Sequence, residues 1–207
     1  MSSSTRIFIV RHGNTFDKGD VVTRVGGRTD LPLSQSGQMQ AEALASYFAR
    51  ADVQVDRIYS SPLKRTFQTA EAIAKAQPKA RAIQAVEFLR EIDYGPDENR
   101  PEAEVVARIG EAALQLWESQ AVVPDGWEVA PHSLIAAWGG FLSELATADA
   151  ARTHLIVTSN GIARFALKAL GNAVSDAHTL KLATGAFGLL ELSEAGGFEV
   201  RSWNVRP

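Results

Sequence analysis

Three short stretches hold residue types that could do chemistry. In "IFIVRHGNT" (Ile7 to Thr15), Arg11 and His12 follow an apolar run. An imidazole is neutral and nucleophilic near physiological pH, and a guanidinium beside it can hold an anion. In "SSPLKRTFQ", Lys64 and Arg65 fall in the first turn of an expected helix. The helix dipole disfavours cations there, so Arg65 is either a solvated surface residue or part of an anion cradle. In "LIVTSNGIAR" (Leu155 to Arg164), Ser159 and Asn160 stand where a strand breaks into a helix. Their hydroxyl and amide either cap that helix or donate to a bound anion. Ligands of an open α/β sheet bind beyond the carboxyl ends of its strands. The three stretches therefore make one site only if their strand ends converge.

The elements needed for that are legible. Ile7 to Val10 is a short β-branched run that reads as a strand buried on both faces. Ser34 can cap a helix over 35–50, with Ala41, Leu44, Ala45 and Phe48 inward. "VDRIYS" reads as a second strand. The next helix is expected to take Ser61 as N-cap and Pro62 at its first position, with Leu63, Phe67, Ala70 and Ala74 as its apolar stripe. A helix over 101–119 would bury Val106, Ile109, Ala113, Leu116 and Trp117. Another, over 133–147, would bury Leu134, Trp138, Phe141, Leu142 and Leu145. A strand at 154–158, a helix at 161–170 and a hairpin turning at Gly196-Gly197 complete the chain. Strands alternating with helices imply an α/β fold: a three-layer α/β/α sandwich with a mostly parallel sheet and an antiparallel edge. Residues 1–207 read as a single domain, in which 91–150 shows no clear strand and is expected to be a helical cap.

Composition excludes several classes. With 207 residues, 45% hydrophobic and 22% charged, the chain is an ordinary globular protein. A net charge of -3 argues against nucleic-acid binding, which needs a basic stripe. The absence of cysteine rules out disulfides and thiol catalysis, and four histidines argue against a His-rich metal centre. The N-terminal apolar run is too short for a signal peptide, and no stretch of about 18 apolar residues could span a membrane. The cytoplasm is the expected location. The oligomeric state, monomer or homodimer, is left open.

The motifs together resemble those of the histidine phosphatase superfamily, the phosphoglycerate-mutase-like proteins. "RHGNT" resembles its signature. "RVGGRTDLPLSQSGQMQAEAL", "IYSSPLKRTFQTAEAIA", "FLREIDYG" and "LIVTSNGIAR" resemble, in order, the motifs that follow it. The resemblance implies a metal-independent phosphomonoester hydrolase, with no cofactor, acting on a small phosphorylated metabolite. His12 would be the nucleophile, forming a phosphohistidine. Arg11 and Arg65 would hold the phosphoryl oxygens, and Asn14 and Thr15 could add hydrogen bonds. Thr15 could equally cap a turn. Glu91 would be the acid that protonates the leaving oxygen and then the base that activates water. Read without the resemblance, Glu91 is a loop carboxylate.

The sequence also departs from the family pattern. A phosphate-binding histidine is expected where Ser159 stands, followed by a glycine where Asn160 stands. Ser159 and Asn160 at a helix N-terminus would still face the phosphate, with less charge. Lys18, near a position where the family often has asparagine, is either a substrate ligand or a surface lysine. His132, in "APHSLIAAW", could restore positive charge over the site, or lie on the surface. His154 should sit at the strand end remote from the site, and His178 carries no signal. The weakened pocket leaves a non-catalytic phospho-ligand-binding protein as an alternative. A phosphomutase is a further alternative, against which the weakened pocket and the lack of clear features for a bisphosphate substrate both argue.

Overall fold

In the computed structural model, residues 4–79, 81–147, 151–171 and 179–207 are described. His178 lies outside them. Six strands form one sheet in the order β3-β2-β4-β1-β5-β6. The four strands β1 (Arg6–Arg11), β2 (Arg57–Ser60), β3 (Ile83–Ala85) and β4 (Thr153–Thr158) run parallel to one another. The strands β5 (Phe187–Leu192) and β6 (Phe198–Val205) form the expected hairpin and the antiparallel edge. The hairpin closes through Gly196, whose φ of 88° lies in the left-handed region that suits glycine.

The alternation along β1 explains the layers. Ile7 and Ile9 enter one core with Trp138, Leu142, Leu145, Ile162 and Phe165. Those residues come from α5 (Pro131–Thr147) and α6 (Asn160–Ala169). Phe8 and Val10 enter a second core with Leu44 and Phe48 of α1 (Gln35–Arg50) and Ala70 and Ile73 of α2 (Lys64–Lys75). Successive strand side chains point to opposite faces, so a strand apolar at every position must be covered on both sides. The three-layer sandwich follows.

One element is added and three local expectations are corrected. The edge strand β3 has no sequence signal, because two of its three residues are exposed. The helix expected over 101–119 is two helices, α3 (Glu102–Ile109) and α4 (Glu111–Gln120), broken at Gly110 with φ 80°. The break resets the helical phase, so Val105 and Trp117 are buried while Leu116 is 42% exposed. In α2 the N-cap residue is Leu63 rather than Ser61, and the buried face carries Thr66 and Thr69 rather than Phe67 and Ala74. Finally, α5 begins at Pro131 and packs beside α6, with Trp138 Nε1 donating to the Ile162 carbonyl at 3.0 Å. It packs in the sandwich, whereas Glu102 of α3 and Trp117 and Glu118 of α4 line the cavity described below. Among the described residues, no helix is long and apolar enough to cross a membrane.

Candidate active site

The ends of β1, β2 and β4 are brought level by their register. Arg11 pairs with Thr158, and Ser60 with Val157. His12 N–H then donates to the Thr158 carbonyl at 3.2 Å. A cavity of about 450 Å³ opens above these ends. Its lining includes Arg11, His12, Asn14, Thr15, Arg65, Glu91 and Asn160, drawn from all three stretches.

The turn after β1 is positioned by two close backbone approaches. A Cβ on Gly13 would stand 2.3 Å from the Gly37 carbonyl oxygen, and one on Gly37 would stand 2.0 Å from the Asn14 carbonyl oxygen. Only glycine fits at either place. Gly13 N–H donates to Thr69 Oγ1 at 3.2 Å, which is why the buried face of α2 carries threonine. Asn14 N–H donates to Gln40 Oε1 (2.8 Å), and the Asn14 amide donates to Ser36 Oγ (3.2 Å). Asp17 accepts from the Gln35 and Ser36 N–H groups at the start of α1, and these contacts with Ser36 and Ser34 hold its pKa down at about 2.

His12 is 6% exposed and its tautomer follows from its partners. Nδ1 lies 2.7 Å from the Gly13 carbonyl, which can only accept, so Nδ1 carries the proton. Nε2 lies 3.2 Å from Arg65 Nε, which can only donate, so Nε2 keeps its lone pair. Burial, then the charges of Arg65 and Arg11, push the His12 pKa well below 6.5. The imidazole is therefore neutral at physiological pH, with Nε2 as its nucleophilic atom.

Arg65 is not a surface residue. It is 1% exposed, and it also donates Nη1 to the Thr29 carbonyl (2.8 Å) and Nη2 to the Gly26 carbonyl (3.1 Å). Arg11 donates Nη1 to the Leu182 carbonyl at 2.9 Å, while its buried Nε has no protein partner. For both arginines burial lowers the pKa and the charge of Glu91 opposes that shift.

The two helix starts near the cavity are engaged by protein carboxylates. Lys64 N–H, the first of α2, donates to Asp30 Oδ1 at 2.7 Å. Gly161 N–H, in the first turn of α6, donates to Glu91 Oε2 at 3.2 Å, and Ile92 N–H donates to Glu91 Oε1 at 3.0 Å. A Cβ on Gly161 would stand 2.2 Å from Glu91 Oε1. Glu91 is 7% exposed and is no loose loop carboxylate.

Ser159 and Asn160 part company here. The Ser159 hydroxyl is fully buried, makes no cap bond and has no protein partner. Ser159 is absent from the cavity lining, whereas Asn160 is part of it. Asn160 Oδ1 accepts from Leu182 N–H at 2.8 Å, which turns its amide nitrogen to other use. Lys18 is exposed in a turn and His132 is exposed in the first turn of α5; neither lines the cavity. His154 is fully buried and stacks on Tyr59.

Several lining residues were not anticipated as site residues. Arg24, inside the quoted "RVGGRTDLPLS" stretch, pairs with Glu102 of α3 and lies over the rings of Tyr94 (5.3 Å) and Trp127 (5.4 Å). Trp117, expected only as core, also forms cavity wall, and buried Arg164 stacks on it at 4.0 Å. Arg164 Nε donates to the Asn160 carbonyl at 3.3 Å and Nη1 to the Trp117 carbonyl, tying the start of α6 to the end of α4. Lys181 and Glu118 face each other across the cavity wall. No spacing rule points to these residues, because their partners lie far away in sequence. Among the described residues, no group of three His, Cys, Asp or Glu side chains is placed to hold a metal ion.

The model of the histidine phosphatase superfamily (branch 1) matches residues 7–206. The chain belongs to that superfamily. A probable phosphoglycerate mutase of Proteus mirabilis is 38% identical over 96 residues, which is 46% of this chain and 41% of the relative. Phosphoserine phosphatase 1 of Hydrogenobacter thermophilus is 39% identical over 90 residues, 44% of this chain and 40% of the relative. The matches thus span less than half of these superfamily relatives. A solved structure of a mycobacterial glucosyl-3-phosphoglycerate phosphatase, complexed with VO3, superposes with a TM-score of 0.78 at 23% identity. That likeness covers 97% of this chain and 98% of the other and shows a shared fold. Phosphatases and mutase-like proteins are both among the relatives of this superfamily member.

Proposed function

We propose that the protein hydrolyses a small phosphomonoester through a phosphohistidine on His12. The observation that carries this reading is the His12 ring itself. It is buried, neutral and protonated on Nδ1, and Nε2 sits on a cavity wall beside two arginines. Phosphoryl transfer asks for an in-line nucleophile and positive charge at the equatorial oxygens, and a neutral imidazole beside two arginines suits both demands.

In the first step Nε2 attacks phosphorus, the bond to the ester oxygen breaks, and a Glu91 carboxyl proton passes to that oxygen. In the second, water attacks the phosphohistidine, the P–N bond breaks, and Glu91 takes the water's proton. Arg65 Nε, which rests on Nε2, turns to a phosphoryl oxygen as substrate enters. Hydrolysis rather than mutase transfer is supported by the half-exposed Lys181 and Glu118 at the cavity wall, where water reaches the site. Two of the relatives, a probable phosphoglycerate mutase and a phosphoserine phosphatase, favour a small phosphorylated metabolite.

The test is turnover of an aryl phosphate and of a panel of phosphorylated metabolites by wild type and His12→Ala. Turnover lost in the variant, with an acid-labile phosphoprotein trapped in wild type, is the expected result. Binding of phosphate esters with no turnover by wild type would instead make the protein a phospho-ligand-binding module. That second reading draws on Ser159, which does not line the cavity.

A further inference from the structure

We infer that Lys181 is a ligand of the phosphoryl group, released for that purpose from Glu118. The inference rests on the proposal that the cavity takes a phosphomonoester.

The charge around the cavity is the starting point. Four cations (Arg11, Arg24, Arg65, Lys181) and three carboxylates (Glu91, Glu102, Glu118) line it. Of these cations, Arg24 and Lys181 are paired with Glu102 and Glu118, which leaves Arg11 and Arg65 to meet an anion. A phosphomonoester brings about -1.5 to -2 near pH 7. The arginines at the floor are also partly committed. All three nitrogens of Arg65 already donate, to His12 and to the Thr29 and Gly26 carbonyls. Arg11 gives Nη1 to Leu182. A dianion therefore gains from one more cation, drawn from a pair that is easy to open.

Two pairs are candidates, and they differ in how tightly they are held. Arg24 has a side chain only 14% exposed, contacts Glu102 closely and lies over two aromatic rings. Opening that pair would uncover buried surface. Lys181 is 57% exposed, and its Nζ stands 3.6 Å from Glu118 Oε2, itself on a side chain 41% exposed. Exposed pairs of this kind contribute little to stability, so the ammonium can leave at small cost. Its backbone, in contrast, is fixed beside the site. The next residue, Leu182, accepts from Arg11 and donates to Asn160. Gly185 N–H, further along the same loop, donates to the His12 carbonyl. A flexible ammonium thus hangs from a segment hydrogen-bonded to three residues of the phosphate site.

The proposal predicts opposite effects for the two members of the pair. Inorganic phosphate binding is measured by calorimetry on the full chain, and aryl phosphate turnover in parallel. Lys181→Met should weaken phosphate binding about tenfold, the size of one charge-assisted hydrogen bond, and raise KM. Lys181→Arg should restore most of the affinity. Glu118→Gln should tighten phosphate binding, because the competing carboxylate is gone. A merely structural pair would make both variants err in the same direction and would lower the melting temperature in both. Unchanged phosphate affinity in Lys181→Met overturns the inference, even where KM rises for esters with charged leaving groups. Phosphate binding without turnover in wild type would overturn the hydrolase reading while leaving the affinity comparison intact. No phosphate binding by wild type would overturn both.

Discussion

The turn after β1 and the turn after β4 start from the same scaffold and end in different chemistry. Both leave parallel, neighbouring strands at the same level of the sheet. The first is wedged between glycine contacts and delivers the His12 ring to the cavity. The second buries Ser159, presents Asn160, and gives the Gly161 N–H to Glu91. Helix α6 thus anchors the acid–base carboxylate proposed for the reaction. The cationic side chain that the resemblance expects at the second turn is absent there, and Lys181 on the cavity wall is the group proposed to replace it.

This contrast can be broken most directly at the first turn. His12→Ala should abolish turnover of any phosphomonoester the wild type hydrolyses, and Glu91→Gln should cost about a hundredfold to ten-thousandfold in kcat for a poor leaving group. Equal activity of His12→Ala and wild type would end the assignment. The second turn is next. Gly161→Ala drives a methyl against Glu91 Oε1 and should lower kcat about a hundredfold with a smaller effect on phosphate affinity. If phosphate affinity falls and kcat holds, α6 serves the anion rather than the carboxylate.

Ser159→His sharpens the comparison further. Because the serine is fully buried and off the cavity wall, an imidazole there should destabilise the protein by about 1–3 kcal/mol and fail to raise activity. Thermal unfolding and turnover report both halves, and a gain in activity at unchanged stability would contradict the geometry.

Two pH effects are smaller. The His12 pKa is depressed, so the ring should show no protonation by NMR as pH falls through 6.5. The unfolded chain does take up that proton, so this group's contribution to stability is complete above 6.5 and declines as pH falls below it. Asp17 behaves in the same sense at lower pH. Its contribution is present above its ordinary value of 3.8 and is lost as pH falls toward about 2, so Asp17→Asn should flatten the acid unfolding profile over that interval.

Much of the molecule was legible in residue order. The continuous apolar run of β1, the Ser34 cap and the α1 stripe rest on local periodicity, and each has its expected place. The family also shows in the motifs, because Arg11, His12, Arg65 and Glu91 stand in ordered local patterns. What spacing could not show depends on partners far away in the chain. Arg65 looked as suited to solvent as to an anion, and its burial comes from carbonyls at Gly26 and Thr29 and from His12. The phase of α3 and α4 departs from a single helical period because Gly110 carries a positive φ that interrupts it.

By itself, then, the sequence determined the alternating layers, the superfamily and the candidate side chains for the proposed chemistry. These follow from period, propensity and motif, which act over a few residues. The tertiary structure alone decided the His12 tautomer, the capture of both helix starts by carboxylates, the retreat of Ser159 from the cavity and the place of Lys181 on its wall. Those are matters of which hydrogen-bond donor meets which acceptor and which group loses water, and they exist only once distant segments are packed together.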